Sequence, residues 1–116
     1  MDHKVIHFEI QGRDGKKSQE FYASLFGWKI DANNPMQYGI VAADAPGIGG
    51  GICQSMGQPL VTFYVSADDL AATLEKAKRL GGKTVLPPQE VPGGPQIALF
   101  SDPDGNVVGL VKPTPM

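Results

Sequence analysis

The chain has 116 residues, 41% of them hydrophobic and 19% charged, and carries a formal net charge of −2. This size and balance predict one globular domain over residues 1–116 and exclude a disordered chain. A slightly acidic chain without a run of Lys or Arg is a poor partner for a phosphate backbone, so we expect no nucleic-acid partner. No apolar stretch reaches the ~20 residues that cross a bilayer. The N-terminal residues lack the apolar core of a signal peptide, and Cys53 has no second cysteine to pair with, so we expect a cytoplasmic protein without membrane contact.

The first half of the chain predicts a strand, a helix and three further strands. Val5–Ile10 alternates apolar and polar side chains, which is the period of a half-buried strand. Lys17–Phe26 carries apolar residues at helical spacing, and Gly27 is a typical helix stop. Three short extended segments follow, at Trp28–Ile30, Gln37–Ala42 and Gly51–Ser55.

The second half repeats this order. Leu60–Val65 is rich in β-branched and aromatic residues, which favours a strand. Asp68 or Asp69 then offers an N-cap for a helix over Leu70–Leu80, and two glycines end that helix. The remaining predicted strands, separated by loops rich in Pro and Gly, are Lys83–Leu86, Gln96–Phe100 and Val107–Val111.

The common order predicts an α+β fold of two tandem βαβββ modules, with repeat halves at about residues 1–56 and 57–116. Thr62 follows His7 at the same interval at which Gly82 follows Gly27, which supports a duplication. The helix of each half covers only one face of its sheet, so we expect the sheets to curl around a cleft.

Five segments carry a resemblance to a known family, and together they cover nearly the whole chain. They are Val5–Ile10, Phe21–Lys29, Phe63–Leu70, Leu80–Lys83 and Phe100–Asn106. In these segments the chain resembles the vicinal oxygen chelate superfamily, which includes glyoxalase I, the extradiol dioxygenases and the bleomycin-resistance proteins. The resemblance implies a concave sheet in each half and, in the members that use a metal, His or Glu ligands on the first and last strands. Because the superfamily hosts many chemistries, the resemblance implies the fold more sharply than the function.

The metal site that the resemblance implies keeps one of its four ligands in this sequence. The first ligand position falls on His7, which matches. The other three positions fall, in chain order, on Gly51 or Ile52, Leu60 or Thr62, and Gly109. Divalent ions need several His or carboxylate donors that converge on one point, so we predict no metal cofactor. A metal ion held by His3, His7 and Glu9 along one strand face is the alternative, although side chains along one strand diverge.

Five polar or aromatic side chains are the candidates for a ligand-binding site: His7, Glu9, Tyr38, Thr62 and Tyr64. His7 and Glu9 stand two apart on the first strand and so share a face. They are the candidate catalytic residues, as an acid–base pair, or a hydrogen-bonding clamp for a polar ligand. The alternative is a structural histidine with Glu9 as its partner. Thr62 and Tyr64 are expected to face the cleft, and aromatic rings such as that of Tyr38 line many small-molecule pockets.

Three further features favour structural roles. Phe8, Phe21, Leu25 and Leu74 are predicted core residues by their spacing. The glycine-rich segment 47–51 lacks the Lys and the following helix of a phosphate-binding loop, and it is interpreted as the start of a strand that runs close to another backbone. Cys53 has no predicted cation or helix N-terminus near it, which favours a buried and inert thiol.

The leading functional hypothesis is a metal-independent member of the superfamily that binds a small organic ligand, for example to sequester it as a bleomycin-resistance protein sequesters a drug. The alternative is an enzyme of the glyoxalase type, a metal-dependent lyase, isomerase or dioxygenase with a rearranged site. A third hypothesis is an interaction module that uses no pocket. The resemblance also implies a homodimer, which would cover the open sheet edges.

Overall fold

The computed structural model describes residues 3–44 and 46–113, and over this part of the chain the elements follow the order βαβββ-βαβββ. They are β1 (Val5–Gly12), α1 (Gly15–Phe26), β2 (Ile30–Asp31), β3 (Gly39–Val41), β4 (Gly49–Gln54), β5 (Leu60–Ser66), α2 (Leu70–Arg79), β6 (Lys83–Glu90), β7 (Gln96–Ser101) and β8 (Val107–Lys112). The predicted α+β class with two tandem modules is confirmed. Neither helix of the described residues has the length and apolar character that a membrane span requires.

The chain divides into two compact units within β5. The first unit is Ile6–Thr62, and the second comprises the described residues up to Val5 and from Phe63 onwards. The repeat halves at 1–56 and 57–116 and the single domain over residues 1–116 stay predictions.

The first unit contains a four-stranded sheet in the order β2-β3-β4-β1. β1 and β4 are parallel, and Glu9 lies opposite Gly51. β3 pairs antiparallel with both β4 and β2, and this register places Ile40 on the other side of Gly51. Ile40, Gly51 and Glu9 therefore form one row across three adjacent strands, and residues in such a row point to the same face.

The second unit repeats this pairing in the order β5-β8-β7-β6. β5 and β8 are parallel, and Tyr64 lies opposite Gly109. β7 pairs antiparallel with both β8 and β6. In each unit the first and last strands of the module are thus neighbours. Because these two strands are parallel, the chain has to cross from the end of one to the start of the other, and the helix is part of that crossover connection.

The element bounds differ from the predicted ones where local hydrogen bonds or sheet edges decide them. α1 begins at Gly15, earlier than predicted, because Asp14 caps it by accepting the backbone N–H of Lys17 at 3.2 Å. Of the two predicted caps of α2, Asp69 is the N-cap, and its side chain accepts the backbone N–H of Ala72 at 3.0 Å. β6 continues through the Pro87-Pro88 pair, which the sequence predicts as a loop. The register of β6 against β7 shifts here, and prolines are tolerated at end strands and at such irregularities.

The core of the second unit lies where α2 packs on its sheet. The buried cluster consists of Ala67, Leu70, Leu74, Ala98 and Leu110, with Val65 and Phe100 packed against it. The prediction of Leu74 as a core residue is confirmed. By contrast Phe63, two residues before Val65 on β5, is 41% exposed.

The helix of the first unit packs on its sheet through its first turn. All of α1 lies in the described part of the chain, and Gly15 is its one buried residue. A Cβ at Gly15 would lie 2.7 Å from the backbone nitrogen of Gln54. Phe21 and Leu25 are 59% and 58% exposed, so their prediction as core residues is wrong. The close contact at Gly15 fixes the helix start against β4, whereas Phe21 and Leu25 turn their side chains towards the surface.

Candidate functional site

The side chains of β1 alternate between the two faces of the first unit's sheet. Phe8 lies on the face covered by α1, where its ring centroid is 5.6 Å from that of Trp28. His7, Glu9 and Gln11 lie on the opposite face. The prediction that His7 and Glu9 share a face is therefore confirmed. Gln11 joins them because β1 extends to Gly12, whereas the predicted strand ended at Ile10.

Four side chains on this face form a continuous hydrogen-bonded set, which we call the β1 network: His7, Glu9, Gln11 and Tyr38. The Nε2 atom of His7 lies 2.8 Å from the hydroxyl of Tyr38. That hydroxyl donates to Oε1 of Glu9 at 3.0 Å, and the amide of Gln11 donates to Oε2 of Glu9 at 2.8 Å. Glu9 is only 6% exposed, and the two donors supply hydrogen bonds of the kind that a buried charge needs.

The network fixes the tautomer of His7. A carboxylate can only accept hydrogen bonds, so the phenol proton of Tyr38 points to Glu9 and the phenol oxygen accepts the proton on Nε2 of His7. Burial lowers the pKa of His7, and the negative charge of Glu9 opposes that shift without cancelling it. His7 is therefore a neutral imidazole at pH 7 with its lone pair on Nδ1. The phenol of Tyr38 thus links His7 to Glu9, and the structural role of this histidine stays an alternative to the functional one.

The ring of Tyr38 fills the space above Gly51. A Cβ at Gly51 would lie 1.9 Å from both Cζ and Oη of Tyr38, so no other residue type fits there beside the ring. Gly51 stands opposite Glu9 in the parallel pairing of β1 with β4. A glycine inside a strand commonly marks the close approach of another group, and here that group is the phenol.

Tyr38 is held at its backbone by Asn34. The amide of Asn34 accepts the backbone N–H of Tyr38 and donates to its carbonyl, both at 2.8 Å. The preceding residue, Gln37, has a left-handed backbone with φ 51°, and its carbonyl accepts from Gln19 at 3.1 Å. Sequence reasoning missed this role of Asn34, because an Asn before Pro35 indicates a turn and carries no sign of what the turn positions.

The second unit has a comparable pair of a tyrosine and a glycine. Tyr64 is 5% exposed, and a Cβ at Gly109 would lie 2.4 Å from its ring. Thr62, at 6% exposure, shares its face of β5 with Tyr64 by strand alternation. Thr62 closes the first unit and Tyr64 belongs to the second. Of the five candidate site residues, the first unit thus joins His7, Glu9 and Tyr38 by hydrogen bonds.

The residues present do not fit the metal site that the sequence resemblance implies. Two of the expected ligand positions are Gly51 and Gly109, which carry no donor, and tyrosine rings fill the space above both. In residues 3–44 and 46–113 no group of three or more His, Cys, Asp or Glu side chains could hold a metal ion. His3, part of the alternative ligand set, instead donates from Nδ1 to the carbonyl of Ser66 at 2.8 Å in the second unit.

Cys53 lies beside the β1 network, opposite Gln11 in the pairing of β1 with β4. Burial, and after it the negative charge of Glu9, raise the pKa of this thiol to about 12. The thiolate is the nucleophile and the metal ligand, so a half-buried thiol with such a pKa is unreactive at neutral pH. The raised pKa supports the predicted inert thiol, which stays a prediction, and the side chain is half-buried rather than buried. The glycine-rich start of β4 also runs close to another backbone as predicted, since a Cβ at Gly49 would lie 2.9 Å from Val41 O.

Two cavities lie away from the β1 network. One, of ≈ 330 Å³, lies beside the C-terminal half of α2, and Ala77 and Leu110 are among its lining residues. The other, of ≈ 460 Å³, lies at the start of α1 and is bordered by Gln37. No residue of the β1 network lines either cavity.

Comparison with known proteins identifies the family. The family model described as Glyoxalase/Bleomycin resistance protein/Dioxygenase superfamily matches residues 4–110. The chain belongs to this superfamily. The resemblance drawn from the sequence segments is therefore confirmed for almost the whole chain.

Relatives within the superfamily differ in length and name. CFP32 of Mycobacterium bovis, named as a glyoxylase, is 31% identical over 88% of this chain, and the matched region is 42% of CFP32. The chain thus spans less than half the length of that relative. Protein BH1468 of Bacillus halodurans has a TM-score of 0.69 at 13% identity, covering 100% of this chain and 98% of that one. A Streptomyces coelicolor methylmalonyl-CoA epimerase variant in complex with 2-nitronate-propionyl-CoA has a TM-score of 0.61 at 15% identity, covering 96% of this chain and 94% of that one. At these identities the two structures are similar in fold alone.

Proposed function

We propose that the chain binds a small organic ligand without a metal ion, on the sheet face that carries the β1 network. The observation that carries this proposal is the position of Tyr38, whose hydroxyl joins His7 to Glu9 and whose ring covers Gly51. In a metal site the imidazole and the carboxylate converge on the ion. Here they converge on a phenol.

The composition of the β1 network supports a role in recognition. Small-molecule sites combine aromatic surface with a few precisely placed polar groups. The network supplies a phenol ring, an imidazole, a carboxylate and an amide within one hydrogen-bonded set. His7, Gln11 and Tyr38 are each half-buried, so part of every one of these side chains is accessible. In this proposal His7 and Glu9 act as a polar clamp, and acid–base catalysis by the same pair belongs to the alternative enzyme.

Thr62 and Tyr64 stay in the proposal as further ligand-binding residues. Both are buried on one face of β5, and Tyr64 covers Gly109 much as Tyr38 covers Gly51. The proposal also includes a homodimer. The apolar side chains that α1 exposes, among them Phe21 and Leu25, support a protein partner because a large exposed apolar patch commonly marks an interface.

Metal analysis separates this proposal from the glyoxalase-type alternative. The measurements are elemental analysis of protein purified without chelator and thermal melting with added Ni²⁺, Zn²⁺, Mn²⁺ or Fe²⁺. We expect no stoichiometric metal and no rise in Tm. A ligand at a hundred times its Kd stabilises the native state by about 2.7 kcal/mol, which such a melt detects. One metal ion per chain that is lost in His7→Ala would overturn the proposal and favour a metal-dependent lyase, isomerase or dioxygenase.

A ligand screen by the same melt separates the proposal from an interaction module without a pocket. The screen covers thiols, aldehydes, catechols and glycopeptide antibiotics. Tyr38→Phe keeps the ring and removes the hydroxyl. Tyr22→Phe is its matched control, because it makes the same change at a tyrosine outside the β1 network, one that stacks on Trp28. We expect the shift of a binder to shrink in Tyr38→Phe and to persist in Tyr22→Phe. If no compound shifts the wild-type protein, the interaction module is favoured.

A further inference from the structure

A cavity of ≈ 330 Å³ lies in the second unit, between the C-terminal half of α2 and the sheet. All of its described lining residues belong to this unit, and none belongs to the β1 network. Its walls are mainly apolar, and the larger apolar side chains among them are Val65, Leu80, Phe100, Pro103 and Leu110. Pockets that bind small molecules have about 300–1,000 Å³ and walls of this kind. The cavity is therefore large enough for a small organic molecule.

The cavity exists because the apolar stripe of α2 continues with a small side chain. Leu70 and Leu74 are buried and fill the contact between the helix and the sheet. Ala77 follows Leu74 at helical spacing, and it leaves the space that a larger side chain would occupy. Leu80, next along the stripe, is 70% exposed although it borders the cavity. A ligand in the cavity would therefore cover apolar surface that the described chain leaves open.

The backbone beside the cavity is fixed where the chain leaves α2. Gly82 donates its N–H to the carbonyl of Ala77 at 2.8 Å. A Cβ at Gly82 would lie 2.6 Å from the carbonyl oxygen of Ser101, so the helix exit is in close contact with the end of β7. Because α2 and β7 both contribute walls of the cavity, this contact sets the distance between two of its walls. The space is therefore formed before a ligand binds, as in most small-molecule sites.

The charges at the cavity favour an anionic ligand. Lys76 and Asp102 bring one positive and one negative charge to its lining. The carboxylate of Asp102 accepts the backbone N–H and the side-chain amide of Asn106, at 2.9 and 2.8 Å, so it is stabilised within its own turn. Lys76 forms no ion pair with any of the described residues, whereas Lys78 pairs with Glu75 at 3.1 Å. The charge that a ligand can pair with is therefore the ammonium group of Lys76.

We propose that this cavity binds a small apolar molecule with a carboxylate group, with its apolar body against Leu80 and Phe100 and its carboxylate at Lys76. This is a second site, which goes beyond the proposed function and does not depend on it. Burial of the apolar body provides most of the affinity, and the ammonium group selects the charge, because an exposed ion pair contributes little. The single charge of a carboxylate matches the single charge of Lys76. His3, which also lines the cavity, donates from Nδ1 to the carbonyl of Ser66 and adds no negative charge.

Three probes of one shape test the ligand class: 3-phenylpropionate, 3-phenylpropanamide and 3-phenylpropylamine. Their affinities are measured by NMR titration of the whole chain at pH 7.5, followed on the backbone amide signals of Ala77 and Leu110. We expect saturable binding of the carboxylate, weaker binding of the amide and the weakest binding of the amine. Lys76→Gln should weaken carboxylate binding about threefold and leave amide binding unchanged, since one exposed ion pair is lost. Lys17→Gln removes an equal charge from an exposed position of α1 and should change neither affinity.

Filling the cavity tests where the probes bind. Ala77→Leu places a larger apolar side chain in the cavity wall and should abolish the binding of all three probes. Ala71→Leu makes the same change at an exposed position of α2 and should leave the affinities unchanged. If Ala77→Leu does not fold, intermolecular NOEs from the probe ring to the methyl groups of Leu80 and Leu110 in the wild-type protein decide, and their absence overturns the proposal.

The outcomes distinguish a binding site from a simple packing gap. Saturable binding that is lost in Ala77→Leu and kept in Ala71→Leu supports the site. If no probe moves the signals of Ala77 and Leu110, the space is a packing gap and this proposal falls, while ligand binding at the β1 network is unaffected. If the amide or the amine binds as tightly as the carboxylate, the carboxylate class is overturned. Equal losses in Lys76→Gln and Lys17→Gln would overturn it as well, because they indicate attraction by net charge alone.

Discussion

Gly51→Ala is expected to destabilise the protein, although alanine suits an ordinary strand better than glycine does. The new Cβ would lie 1.9 Å from Cζ and Oη of Tyr38 and 2.0 Å from its Cε2. Unbonded carbon atoms do not approach closer than about 3.5 Å without strong repulsion. The ring of Tyr38 therefore has to leave its position over the strand.

The magnitude follows from the bonds that the departing ring breaks. Its hydrogen bond with His7 contributes about 1 kcal/mol, and its bond to the charged Glu9 about 1.5–3 kcal/mol. Replacing a glycine by alanine stabilises the folded state by about 0.4–1 kcal/mol, because it lowers the entropy of the unfolded chain. The free energy of unfolding should fall by about 2–3 kcal/mol. The loss in Tyr38→Phe should be similar, because the same two bonds disappear while the ring stays.

A double-mutant cycle isolates the contact between the ring and the glycine. In the Tyr38→Ala background no ring opposes the new methyl group, so adding Gly51→Ala should be neutral or slightly stabilising. The coupling energy should therefore be about 2–3 kcal/mol, within the range seen for residues in contact. Gly57→Ala is the matched control, because a Cβ at Gly57 meets nothing within 4 Å.

Urea denaturation followed by circular dichroism measures these differences as shifts of the midpoint at constant m-value. Two results would refute the reasoning. One is a loss in Gly51→Ala no larger than that in Gly57→Ala. The other is an equal effect of Gly51→Ala with and without the Tyr38 ring.

Two further predictions concern ionisation. Burial lowers the pKa of His7 below its ordinary 6.5, so the unfolded chain binds a proton that the folded chain refuses. The stability that this imidazole contributes is full above pH 6.5 and is lost as the pH falls from there through the lowered pKa of the folded state. His7→Gln should therefore reduce the loss of stability at acidic pH. An NMR titration midpoint of His7 at or above 6.5 would contradict the direction of the pKa shift. Cys53, with its pKa raised to about 12, should resist alkylation at pH 8 in the folded protein and react in urea, and rapid labelling without denaturant would disprove its protection. Glu9→Gln should speed this labelling only modestly, because burial is the larger cause of the raised pKa.

The order of elements could be predicted because its signals are local. The alternation in Val5–Ile10 and the helical spacing in Leu70–Leu80 each depend on a few neighbouring residues, and both elements lie close to where they were predicted. The core of the first unit could not be predicted in the same way. Phe21 has the spacing of a buried helix face, yet α1 meets the sheet through Gly15, and that contact depends on how two distant segments pack.

The candidate site could be predicted only in part for the same reason. That His7 and Glu9 share a face follows from strand period alone. That the hydroxyl of Tyr38 lies between them depends on the register of β3 against β4 and on the clamp by Asn34, neither of which has a local sequence signal. The sequence shows that Gly51 supplies no metal ligand, but it does not show that the ring of Tyr38 covers this glycine.

The two units cover their strand glycines with tyrosine rings that come from different positions. The interval that relates His7 to Thr62 also relates Glu9 to Tyr64, and Glu9 and Tyr64 stand opposite the corresponding glycines, Gly51 and Gly109. In the second unit the residue opposite the glycine covers it with its own ring. In the first unit that residue is a carboxylate, and the ring over the glycine is that of Tyr38, which directly precedes β3 and brings a hydroxyl between the carboxylate and an imidazole. Filling the gap above a strand glycine requires only a ring. The polar set of the first unit goes beyond that requirement, which is why our proposal centres ligand recognition on the β1 network.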